Sequence, residues 1–129
     1  MFNSNAFDYV NILDKAADAS WMREKTIAHN IANVDTPGYK RQDVEFDTTL
    51  EQAIKRTKAN NLHGAVTNLD VASLQPKVFT DYAGYSYRLD GNNVDVDTEN
   101  VELASEQIKY QALTESISQE FSRFKAVAK

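Results

Sequence analysis

Apolar residues near the start of the chain recur alternately four and three positions apart. Positions 6, 10, 13, 17, 20, 24, 27, 31 and 34 hold Ala6, Val10, Leu13, Ala17, Ser20, Glu24, Ile27, Ile31 and Val34, and seven of these nine are apolar. That is a narrow seam of coiled-coil type, not the broad stripe of a helix lying on a large core. Asn3, Ser4 and Asn5 offer N-caps, and Asp8 sits where a helix dipole favours an acid. With no Gly or Pro before Pro37, the spacing predicts one helix over residues 5–34, about 45 Å long at 1.5 Å per residue.

The other end repeats the pattern. Leu103, Tyr110, Leu113, Ile117, Phe124 and Val127 follow a 3/4 spacing, broken by Glu106 and Glu120 and widened by Ile108 and Phe121. Asp97 or Thr98 can cap the start, Glu99 and Glu102 suit the first turns, and Arg123, Lys125 and Lys129 suit the end. A helix over residues 98–127 follows. The two helices could pack on one another as a plain hairpin. Stripes this long and narrow favour a second chain, because a two-helix pair leaves one side of each stripe wet.

Residues 35–97 read differently. Both Pro and all four Gly fall there. Thr36-Pro37-Gly38-Tyr39 predicts a type II turn, with Pro at the second position and Gly accepting positive φ at the third. Thr48 and Glu51 have capping-box spacing ahead of a short helix over about 48–60. Lys77–Thr80 and Tyr85–Leu89 read as short strands, and Asp90-Gly91-Asn92-Asn93 is a turn across which Val94-Asp95-Val96 could pair back. The expected architecture is therefore mainly α: an N-terminal helix (1–34), an irregular middle with one short helix and a small β-hairpin (35–97), and a C-terminal helix (98–129). The long helices would form a coiled-coil-like α domain.

Charge and composition narrow the function. The formal net charge is −5 and the pI about 5.0, which argues against a nucleic-acid partner. There is no Cys and there are two His, so disulfides, thiolate zinc sites and cysteine nucleophiles are absent. The longest apolar run is three residues, Ala126–Ala128, far too short for membrane insertion. The first thirty residues show no secretory signal pattern, so an exported chain would use a route without a cleaved signal.

No catalytic constellation emerges, and neither does a cofactor motif. Asp95, Asp97 and Glu99 lack the Gly and terminal Glu spacing of a calcium loop and read as capping. His29 has Asn33 one turn away and no second metal ligand, and His63 reads as a loop residue. Tyr82, Tyr85 and Tyr87 with Phe79 could stack on a ligand, but with only Lys77 and Arg88 nearby a protein contact fits better.

One segment is more specific. Asn30-Ile31-Ala32-Asn33, two variable residues, then Thr36-Pro37-Gly38-Tyr39 resembles the N-terminal signature of bacterial flagellar rod and hook proteins, with all eight fixed positions present. Asp90–Asp97 with Glu99, Leu103-Ala104 and Gln107–Leu113 resembles the C-terminal signature of the FlgB family of proximal rod proteins. The chain departs from the common pattern at His29 and at Glu106-Gln107, and the middle matches nothing recognisable.

The resemblance implies a structural subunit of the basal-body proximal rod, not an enzyme. Its terminal helices would interlock with other subunits in a hollow helical drive shaft needed for motility. Interface residues would then be Val10, Leu13, Ala17, Ile27, Asn30, Ile31, Asn33, Val34, Leu103, Tyr110, Leu113, Ile117, Phe121 and Phe124, with Thr36, Pro37, Gly38 and Tyr39 as a joint. Implied partners are other rod proteins, the rod-to-ring adaptor protein, further copies of the chain and the flagellar type III export apparatus. The implied location is the basal body outside the cytoplasmic membrane, in the periplasm or cell-wall zone. Two alternatives stay open: the other proximal rod subunit, FlgC, and a coiled-coil export chaperone or adaptor.

Overall fold

The computed structural model describes residues 5–82 and 88–128, with side chains from residue 7 onward. Helix α1 spans Asn5–Ala32 and helix α4 spans Val96–Ala128. Between them lie strand β1 (Gln42–Glu45), helix α2 (Asp47–Arg56), helix α3 (Leu62–Asn68), a 3₁₀ turn (Val71–Ser73) and strand β2 (Lys77–Thr80). The fold is mainly helical. Among the described residues, no helix is long and apolar enough to cross a membrane.

α1 and α4 pack antiparallel. Ser20 donates to the Glu106 carbonyl at 3.4 Å, and at the far end the rings of Phe7 and Phe124 lie 5.0 Å apart. The α4 residues turned towards α1 fall at 99, 103, 106, 110, 113, 117, 120 and 124, all buried or half-buried, on an unbroken 4/3 path. Glu106 and Glu120 belong to this path and do not interrupt it.

A second face of α1 supports the middle of the chain. Ala19 packs in one cluster with Phe46, Ala53, Leu69 and Leu74, flanked by Ile12, Ala16, Leu50 and Ile54. Small Ala side chains on α1 let the middle segment approach closely. α1 is thus covered on two sides, whereas α4 is covered on one.

Several local expectations are corrected. α2 begins at Asp47 without a side-chain cap, so the Thr48–Glu51 box does not form, and it ends at Arg56. Lys58 follows in the left-handed region at φ +54°. His63 lies in α3, stacked on Tyr9 with ring centroids 6.5 Å apart. α4 starts two residues early because Asp95 is its cap: Asp95 Oδ1 accepts from the Asp97 and Thr98 amides at 3.1 and 3.4 Å. The expected hairpin of 85–89 with 94–96 is not the sheet. Residues 85–87 lie outside the described residues, Val94 and Asp95 are irregular, and Val96 is helical. β2 pairs instead with β1, antiparallel, in the register Gln42–Thr80 to Glu45–Lys77.

The turn at the end of α1 has the expected shape. The helix tightens as Val34 N–H donates to Ile31 C=O at 3.2 Å, then Tyr39 N–H donates to Thr36 C=O at 3.2 Å with Gly38 at φ +74°. A Cβ built on Gly38 meets nothing within 4 Å, so a side chain is disfavoured there by backbone conformation alone. Gly38→Val should therefore cost about 1 kcal/mol or more, and Gly38→Asn less, because Asn tolerates the left-handed region. Urea unfolding of the two variants checks the order; equal costs would show a steric cause instead.

Candidate assembly joint

The two sequence signatures meet in space. Gly38 N–H donates to Asp90 C=O at 2.7 Å, and Asn93 N–H to Tyr39 C=O at 3.3 Å. Lys40 Nζ donates to Gly91 C=O, and Arg88 to Val34 C=O. Asn92, fully buried, donates Nδ2 to the carbonyls of Asn33, Val34 and Thr36 at 2.8–3.1 Å. Its Oδ1 accepts from Val94 N–H at 2.7 Å. One side chain thus satisfies carbonyls that the end of α1 would leave bare and orients the chain for α4.

Asn30, also fully buried, acts from the other side. Its Oδ1 accepts from Gln42 N–H at 2.9 Å and from the Tyr39 hydroxyl at 3.1 Å. Its Nδ2 donates to Gln42 C=O at 2.8 Å and to Glu99 Oε2 at 3.1 Å. The amide serves β1 as a strand partner would and ties it to the first turns of α4.

Two arginines hold the carboxylates that α4 buries. Arg41 reaches Glu99 at 2.6 Å, Asp81 at 2.7 Å and Asp43 at 3.4 Å. Arg23 reaches Asp43, Glu102 and Glu106, each at 2.8 Å. Burying a carboxylate is costly unless it is paired and hydrogen-bonded; Glu99 and Glu106 are 1% and 3% exposed, and both are paired. Burial favours the neutral form of Asp43, but hydrogen bonds from Arg23 and the Val44 amide with both guanidinium charges outweigh it, holding Asp43 below the usual carboxylate range. Burial first, then the nearby Glu99 charge, raises the Tyr39 hydroxyl. Glu24 is raised by burial and by Glu106. The network faces an open groove of about 570 Å³ lined by Ser20, Phe46 and Phe79 among others.

Among the expected interface residues, Val10, Ala17, Ile27 and Asn30 are buried within the chain. Leu13, Ile31, Asn33, Val34, Leu103, Tyr110, Leu113, Ile117 and Phe124 are half-buried, and Phe121 is exposed. At the joint, Tyr39 is half-buried, and Thr36, Pro37 and Gly38 are exposed. Asn33 Nδ2 donates to the backbone carbonyl of His29 at 2.8 Å. Arg23, Arg41 and Asp43 were not singled out by sequence reasoning, and Asn92 was read only as part of a turn and of the C-terminal signature. The signal for Arg23 was Glu106 itself, since an acid on an apolar seam calls for a cation.

Arg23 and Arg41 are paired to the carboxylates of this joint, and among the described residues no group of three or more His or acidic side chains could hold a metal ion. This is a structural joint between two terminal helices, as in a rod protein, and residues 22–40 match the family model described as flagella basal body rod protein. The FlgB flagellar basal body rod protein of Bacillus subtilis (strain 168) is 38% identical over 116 residues, covering 89% of this chain and 88% of the relative. That of Borrelia hermsii is 35% identical over 129 residues, covering 93% and 95%. That of Escherichia coli (strain K12) is 32% identical over 103 residues, covering 74% and 75%. The chain belongs to the FlgB family, whose members are structural, non-enzymatic subunits of the rod.

Two consequences can be measured. A carboxyl held low contributes stability that is fully present above its unfolded value near 4 and is lost as the pH falls through the lower native value. The stability gap between wild type and Asp43→Asn should be constant near neutrality and close in acid. Arg23→Met leaves Glu106 buried without its cation and should cost on the order of 3–5 kcal/mol. Adding Glu106→Met should restore part of that loss, since Asp43 and Glu102 still lack the guanidinium. Denaturant titrations across pH read both effects; an unchanging Asp43 gap or an additive double variant would contradict the network.

Proposed function

We propose that this rod subunit assembles with other rod proteins, with the rod-to-ring adaptor and with further copies of itself as part of a hollow helical tube. The tube stands in the periplasm or cell-wall zone, outside the cytoplasmic membrane. Delivery is by the flagellar type III apparatus, on the strength of the family resemblance. The observation that carries assembly is the apolar surface left after α1 and α4 have packed. On the side of α4 turned away from α1, Val101, Ala104, Ile108 and Ala112 form an exposed row, with Val101 at 68% and Ile108 at 69% exposure. Phe121, at 48%, flanks the seam. A continuous apolar row on a long helix is the pattern of a helix that docks against another chain.

The row adds Val101 and Ile108 to the interface residues read from the sequence. It also separates two kinds of variant. Ile117 is half-buried on the side facing α1, so Ile117→Asp should lower the melting temperature of the free subunit. Ile108→Asp should leave melting and solubility unchanged while abolishing rod assembly and motility. Thermal unfolding of both purified variants, beside a motility assay with detection of the exported subunit, makes the comparison. A motile Ile108→Asp strain would show that the outer row is not an interface.

A further inference from the structure

The two edges of the β1–β2 sheet are finished differently. Asp81 N–H donates to Arg41 C=O at 2.9 Å. Alternation in an antiparallel ladder then places Asp43–Phe79 in a hydrogen-bonded pair, and Gln42–Thr80 and Val44–Val78 in non-hydrogen-bonded pairs. The outward backbone groups of β1 are therefore those of Gln42 and Val44, and three of these four are taken by side chains. Asn30 takes both the N–H and the C=O of Gln42, and Asp43 Oδ1 accepts from Val44 N–H at 2.7 Å. The outward groups of β2 are those of Val78 and Thr80, and among the described residues neither has a backbone partner on that side. The strand is also apolar on both faces: Val78 is 50% and Phe79 45% exposed.

An open apolar edge is a template for another strand. The sequence of β2 indicates which one. Laid antiparallel against itself about Phe79, Lys77-Val78-Phe79-Thr80-Asp81 sets Lys77 opposite Asp81, Val78 opposite Thr80 and Phe79 opposite Phe79. The outward-facing Val78 and Thr80 then form the hydrogen-bonded pairs, the phenyl rings meet at the centre, and opposite charges close both ends. We propose that β2 pairs with β2 of a second copy, giving a four-stranded sheet in the order β1-β2-β2-β1. Such a contact is two-fold and closes on itself, whereas subunits of a tube that all point one way meet through unlike surfaces. The pair therefore belongs to the subunit outside the rod, where it covers the open edge until assembly. Four-residue strands bury little area, so the pair is weak and concentration-dependent.

The chain has no Cys, which makes the register directly readable. In full-length protein, Phe79→Cys places identical thiols across a non-hydrogen-bonded position and should form a disulfide dimer on mild oxidation. Val78→Cys faces Thr80 and should couple much less. Val78→Pro removes only an outward N–H and leaves the β1–β2 ladder intact; combined with Phe79→Cys it should abolish the crosslink with unchanged circular dichroism. Light scattering on wild type should show a mass rising with concentration, and on Val78→Pro a monomer throughout. A wild-type monomer at every concentration, equal coupling at positions 78 and 79, or a crosslink that survives Val78→Pro would each overturn the pairing.

Discussion

The burial of Glu99 against Asn30 and Arg41 is the interaction on which the rest of this structure depends. A carboxylate on the inner face of a helix cannot remain there unpaired, because its desolvation exceeds what apolar packing around it returns. Here its oxygens are taken by an amide at 3.1 Å and a guanidinium at 2.6 Å. Those two donors come from the end of α1 and from the segment that leaves it. The first turns of α4 are thereby held against the last turns of α1. Further along, Arg23 repeats the device with Glu102 and Glu106.

Apolar seams supply affinity but little register, since one Leu or Ala can replace its neighbour when two helices slide. A buried ion pair has one geometry in which it is satisfied. The order of contacts along the hairpin, Asn30 with Glu99, Arg23 with Glu102 and Glu106, Ser20 with Glu106 and Phe7 with Phe124, shows polar register at one end and aromatic packing at the other. For a rod subunit this division matters. A joint fixed by paired charges sets the shape of the subunit, and it leaves the outer row of α4 exposed.

The signature residues of the family gain a physical reading from this arrangement. Asn30 closes the edge of β1 and steadies Glu99. Gly38 and Gly91 both carry positive φ and bring two turns into backbone contact. Asn92 covers carbonyls at the end of α1. These roles are fulfilled inside one chain, so the residues shape the subunit whatever they do between subunits.

The sequence by itself determined the two long helices, the turn at Pro37-Gly38, the strand at Lys77–Thr80 and the family. Each of these rests on spacing or on residues within a few positions of one another, and here the tertiary packing left those local signals in force. Only the tertiary structure decided that β2 pairs with Gln42–Glu45, that Asp95 rather than Asp97 or Thr98 caps α4, and that Glu106 belongs to the seam. It also decided that Asn30 binds a strand edge and a carboxylate. A strand's partner and the cation for a buried acid come from residues many positions away along the chain. Which of several candidates reaches them depends on how the helices pack, and local spacing carries no record of that distance.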